Sequence, residues 1–219
     1  ICVWDDHEIA NNAWKGGAEN HQPDEGDYLM RRDAAYQAYL EWLPVRETGS
    51  ARQPLIYRSF AIGDLADLVM LDTRLAGRDE QVDREDVLAV EDPRRSLLGQ
   101  GQEGWLEGQQ VMFAPQTPAG QAAGNPDSWD GYRVSRSRVF DMVERHKVPN
   151  LVVLTGDVHS SWAYDLPRGI SDAYDPATGR ASLGVEIVCP AVSSPSPFQG
   201  AQGEERLAST PTTRPHLKY

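Results

Sequence analysis

Apolar positions along the chain fall into short blocks separated by long polar stretches. The opening Ile1-Cys2-Val3-Trp4 reads as part of a strand. Residues 11–26 are rich in Gly and Asn and show no period, which predicts a long loop of the kind that often carries function. Tyr28, Leu29, Tyr36, Tyr39, Leu40 and Leu43 then recur at helical spacing. Asp24 or Asp27 can cap that helix, and Pro44 stops it. Two apolar runs, Leu55–Phe60 and Ala66–Leu71, flank Gly63-Asp64 and predict an antiparallel pair.

Residues 77–95 are charged and aperiodic, so they predict a solvated excursion. Trp105–Phe113 is helix-like, and residues 114–125 are a Gln-, Pro- and Gly-rich loop. Val134–His146 is an amphipathic helix with Val139, Phe140 and Val143 inward, ending before Pro149. The wholly apolar Leu151-Val152-Val153-Leu154 predicts a strand covered on both faces, and Leu183–Val188 predicts another. Helix, tight turn and buried strand in succession predict a layered α/β architecture.

The 219 residues can build one sizeable core. Because the chain starts inside an apolar run, without methionine or signal peptide, we expect one domain, residues 1–219, cut from a longer protein at its start. Nothing in it is long and apolar enough to span a bilayer. A net charge of −12 argues against a nucleic-acid partner, which demands a basic footprint. An acidic protein can still accept phosphate if bound cations invert the local field. Cys2 and Cys189 both lie in apolar runs and read as buried small residues, with a bridge between them left open.

Candidate chemistry sits where two apolar runs end. The first cluster is Val3-Trp4-Asp5-Asp6-His7-Glu8, and the second is Leu154-Thr155-Gly156-Asp157-Val158-His159-Ser160-Ser161-Trp162. Ligands in open α/β sheets bind beyond the carboxyl ends of strands. Both clusters offer only oxygen and imidazole donors, a set suited to Ca²⁺, Mg²⁺, Mn²⁺, iron or zinc. In an extended Asp157-Val158-His159 the outer pair points the same way. Each cluster alone has a structural alternative: Asp5 or Asp6 as a turn cap, His7 as a satisfied histidine. A serine hydrolase built on Ser160 or Ser161 beside His159 lacks the Gly-x-Ser-x-Gly elbow.

Trp4-Asp5-Asp6-His7-Glu8 continues through Asn11-Asn12-Ala13-Trp14-Lys15-Gly16-Gly17-Ala18-Glu19-Asn20-His21. With Leu71-Asp72-Thr73-Arg74, Asp127-Ser128-Trp129-Asp130-Gly131-Tyr132 and Gly156-Asp157-Val158-His159, it resembles the PhoD-like alkaline phosphatases. These belong to the calcineurin-like metallophosphoesterase superfamily, and the resemblance covers nearly the whole chain. It implies a four-layer α/β/β/α sandwich, here incomplete and truncated at both ends, that hydrolyses small phosphate mono- or diesters with iron plus calcium. It also implies export to the periplasm or beyond. By the same resemblance Asp6, Asp157 and His159 are metal ligands, Asp5 is a weaker one, and His7 is catalytic. Trp129, Tyr132 and Arg74 are candidates for the substrate pocket. Ligands expected from the family's earlier motifs would lie in a missing N-terminal segment of the same protein. That leaves the alternative of a non-catalytic module that binds a cation or docks a partner.

Overall fold

The computed structural model describes residues 2–45, 55–107, 125–169 and 173–218, without the side chains of 211–213. Its elements are α1 (Tyr28–Trp42), β1 (Arg58–Ile62), β2 (Ala66–Met70), α2 (Val87–Val90), α3 (Gly99–Glu107), α4 (Arg133–His146), β3 (Leu151–Thr155), β4 (Trp162–Pro167), β5 (Ser182–Val188) and α5 (Gly200–Thr213). Two sheets form among the described residues: the hairpin β1-β2 and a three-stranded sheet of order β3-β5-β4. The first is antiparallel, pairing Arg58 with Met70 through Ile62 with Ala66. In the second, β5 runs parallel to β3 and antiparallel to β4.

The capping expectation at α1 holds at Asp27, whose carboxylate accepts from Leu29 N at 2.8 Å. The buried stripe of α1 is Tyr28, Tyr36 and Tyr39, while Leu29 and Leu43 face solvent. Here the aromatic rings take the core because Trp4 lies against them, its ring 3.9 Å from Tyr39 and edge-on to Tyr36 at 5.2 Å. Trp4 thus anchors the opening of the chain in the core, and residues 2–5 pair with no neighbour in a sheet among the described residues. Ile9, Ala10, Ala13, Ile56 and Leu75 complete this first core.

A second core lies between α3, α4 and the inner face of β3-β5-β4. Leu106, Val139, Val143, Leu151, Val153 and Leu166 meet there. Helix α3 begins six residues before the stretch the sequence suggested, and residues 108–124, which hold the rest of that stretch and the following loop, lie outside the described residues. Lys147 closes α4 in the left-handed conformation (φ 51°), one residue after His146. Gly184 sits opposite Leu151, where a Cβ would lie 2.5 Å from the Leu151 carbonyl oxygen. Only glycine lets β3 and β5 pair at that point.

Among the described residues, strand β3 is covered on one face only. Val152 is 50% and Leu154 65% exposed, and Val185 and Ile187 of β5 lie open on the same side. Strand β4 and helix α5 were not apparent in the sequence pattern. Cysteine placement also differs from expectation: both thiols are free, Cys2 is half-buried and Cys189 is exposed.

Residues 77–95 are solvated only in part: residues 83–86, 93 and 94 are exposed, but the start of the stretch is tied to the core. Arg78 is buried there and binds the Asp127 carboxylate, which also takes Arg74 in a two-pronged pair at 2.9 and 2.7 Å and accepts from Gln81. Burial acts to raise the Asp127 carboxyl, but its bonds and charges with Arg74 and Arg78 outweigh this and hold it below its ordinary value. Arg78 and Arg95 lie 4.9 and 4.4 Å from the Tyr132 ring centroid. One acid thus clamps residues 74–81 to the start of α4.

Asp127→Asn should leave two buried guanidinium groups without their anion and cost about 3–5 kcal/mol. Urea denaturation would measure this, and a loss below about 1 kcal/mol would contradict the clamp.

Candidate metal centre

Three parts of the chain converge on one cluster of carboxylates. The first brings Asp5 and Asp6. Trp4, sunk in the first core, fixes the chain just before them, and Asp5 N donates to Glu8 Oε2 at 2.9 Å to tighten the following turn. The second brings Asp157, two residues past the end of β3. The third brings Arg74, on the turn that follows β2. Fully buried Asp72 builds that turn by accepting from Arg74 N at 2.9 Å and Leu75 N at 2.7 Å. Gln102 of α3 holds both backbone groups of Asp72, accepting from its N–H at 2.8 Å and donating to its carbonyl at 2.6 Å.

Asp5, Asp6 and Asp157 each direct one carboxylate oxygen into a common space, all within 4.8 Å of one another. His7 stands at the rim, its Nε2 3.1 Å from Asp6 Oδ2 and its side chain largely open to water. His159 is not part of this group. Residues 156–161 lie beyond the strand, and both Asp157 and His159 take left-handed φ values of 71° and 55°. The alternation that would aim them together holds only for extended backbone.

The electrostatics are those of crowded like charges. Burial, followed by the charges of Asp5 and Asp6, pushes the Asp157 carboxyl up to about 6, against the pull of Arg74. Asp5 is raised for the same reasons, burial first and Asp6 second. Arg74 supplies positive charge, but its terminal nitrogens are held by Asp127. Hard oxygen donors this close fit a hard cation such as calcium, whose charge would relieve the repulsion.

The two aromatic pocket candidates are both buried. Trp129 is buried in the second core. Tyr132 is 1% exposed, donates to the Asp79 carbonyl oxygen at 2.6 Å and lies between two guanidinium groups. Asp127 is the site's unforeseen support, visible in the sequence only as part of a motif. A cavity of about 280 Å³ between α3 and α4 is lined by Glu103, Glu107, Arg138 and Arg145, and contains none of the clustered acids.

In metal-free protein a raised Asp157 pKa penalises the charged form, so the penalty grows as pH climbs from the ordinary 3.8 towards about 6. Asp157→Asn should therefore gain stability relative to the parent across that interval and hold the gain above it. Urea denaturation of both at several pH values would check this, and a difference independent of pH would contradict it.

The profile of the PhoD-like phosphatase family matches residues 1–219. Alkaline phosphatase D of Bacillus subtilis (strain 168) is 34% identical over 243 aligned residues, covering all of this chain and 40% of that protein. The alignment is longer than the chain, so the relative carries residues within the matched span that this chain lacks. A solved structure described as "Structure of PhoD" superposes with a TM-score of 0.79 at 31% identity, over 99% of this chain and 44% of the other. The chain thus spans about two-fifths of the length of these relatives, and it belongs to the PhoD-like phosphatase family.

Proposed function

We propose that the protein hydrolyses small phosphate mono- or diesters at a metal centre held by Asp5, Asp6 and Asp157. The observation that carries this reading is the convergence of the three carboxylates within 4.8 Å. A bound cation would relieve the repulsion between these carboxylates, of which Asp5 and Asp157 are open to solvent. Family membership directs the chemistry towards phosphate. Bound iron and calcium, the pair the resemblance implies, would supply an activated water and neutralise charge on the phosphoryl group.

The chain's own residues do the rest. Asp5, Asp6 and Asp157 hold the cations, and His159 is a further donor on the strength of the resemblance. His7, exposed beside Asp6, is within reach of a substrate at the rim, where it can donate to a phosphoryl oxygen or pass a proton to the leaving oxygen. Arg74 offsets the cluster's negative charge from behind.

The finer fold proposal is a four-layer sandwich formed with further polypeptide of the same protein, the described residues supplying part of a single catalytic domain. The open apolar side of β3 and β5 supports it, because parallel strands are ordinarily covered on both faces. Among the described residues no helix is long and apolar enough to cross a membrane. The resemblance to exported phosphatases extends the proposal to the periplasm or the cell exterior. A cation-binding piece without turnover is the second reading, favoured by the two-fifths coverage of the relatives.

Full-length protein should release phosphate from p-nitrophenyl phosphate or its bis-ester. Chelation, Asp6→Asn or Asp157→Asn should each lower kcat/KM by roughly 100-fold or more, and His7→Ala by about 10²–10⁴. Turnover indifferent to chelator would reject the proposal, and turnover by the full-length protein with none from residues 1–219 alone would select the second reading. For the covered sheet face, Leu154→Asp in the full-length protein should cost about 2 kcal/mol or more. A change within about 0.5 kcal/mol, normal for a surface position, would leave that face facing solvent.

A further inference from the structure

The loop that carries Asp157 and His159 has a backbone that needs outside support. Both residues lie in the left-handed region, at φ 71° and 55°. Such conformations persist where the surroundings over-determine them. The start of the loop is tied to the sheet: the Thr155 carbonyl accepts from Cys189 N at 2.9 Å, and Thr155 Oγ1 donates to Glu186 at 2.9 Å.

Its far end is tied by a different device. Trp162 Nε1 donates to Ser160 Oγ at 2.8 Å, and Ser160 Oγ donates to the Val158 carbonyl at 3.1 Å. The Val158 N–H in turn donates to the Gly156 carbonyl at 2.9 Å. These bonds run from a core indole to the two peptides of Val158, the residue between Asp157 and His159. The indole is a firm base: Trp162 is buried with Tyr164 and Val188 and packs edge-on to Phe198 at 5.2 Å. Ser160 spends its single proton on this relay, which accounts for a serine beside a histidine without any nucleophile elbow.

We infer that Ser160 and Trp162 are positioning residues, a hydrogen-bonded relay that holds the 156–161 loop in the one conformation in which Asp157 reaches Asp5 and Asp6. The inference rests on the metal-centre reading. Neither residue touches the clustered carboxylates, so they act through the backbone of Val158. Groups that orient a ligand in this way typically change metal affinity 10–100-fold when lost.

The test is Mn²⁺ titration of metal-stripped full-length protein, followed by electron paramagnetic resonance, with metal-free melting measured in parallel. Ser160→Ala removes the relay, Trp162→Phe removes its indole N–H but keeps the packing, Ser160→Thr restores the hydroxyl, and Asp157→Asn reports on the site itself. The relay predicts roughly tenfold or greater weakening of Mn²⁺ binding in Ser160→Ala and Trp162→Phe, parental affinity in Ser160→Thr, and unchanged metal-free melting in all three. If Ser160→Ala and Trp162→Phe bind like the parent while Asp157→Asn does not, the relay is overturned and the site stands. If Asp157→Asn binds undiminished, site and relay fall together. Weaker binding that simply tracks lost metal-free stability would assign both residues a general structural role and overturn the relay.

Discussion

Three carboxylates that repel one another are held within 4.8 Å, and much of the surrounding architecture can be understood as what that requires. Unopposed, like charges at this separation push a flexible chain apart, and the Asp157 and Asp5 carboxyls are raised by burial first and by their acidic neighbours second. Resistance comes from elements that cannot move independently. Trp4 is locked against Tyr36 and Tyr39, which fixes Asp5 and Asp6. Strand β3 is paired along its length with β5, which fixes the approach to Asp157. Arg74 is gripped by Asp127, so its charge stands behind the cluster without collapsing into it.

The same view explains why polar groups so often sit inside this protein. Asp72, Gln102, Arg78 and Asp127 are each deeply or largely removed from water, yet each is spent on backbone groups or on an opposite charge. They build the turn after β2 and clamp it to the start of α4, work that apolar packing, being non-directional, cannot do. The exposed sheet face is the converse case. Val152, Leu154, Val185 and Ile187 form a contiguous apolar strip with nothing among the described residues laid over it, where isolated exposed apolar residues would need no explanation.

What the sequence revealed, and what it hid, divides along physical lines. Helices α1 and α4 and the β1-β2 hairpin were legible because their signals are local: a cap at Asp27, a period of 3.6 at Val139, Phe140 and Val143, a turn at Gly63-Asp64. The clustering of Asp5 and Asp6 with Asp157 was legible only as two strand-end motifs whose meeting had to be assumed. Helix α5 was hidden because it buries no apolar stripe, and β4 because Trp162 follows a run of loop residues. Residues 77–95 misled because charge reads as solvation, whereas Arg78 is buried against an acid 49 positions away. The loop path at Asp157 and His159 was hidden because the alternation rule for strands does not extend into a loop with positive φ.

The central claim, that Asp5, Asp6 and Asp157 together form a cation site, is met most directly by anomalous diffraction from crystals of the full-length protein soaked in Mn²⁺. The account predicts a peak within about 2.0–2.6 Å of carboxylate oxygens from Asp6 and Asp157. A peak elsewhere, with those carboxylates bound only to water or turned apart, would contradict it.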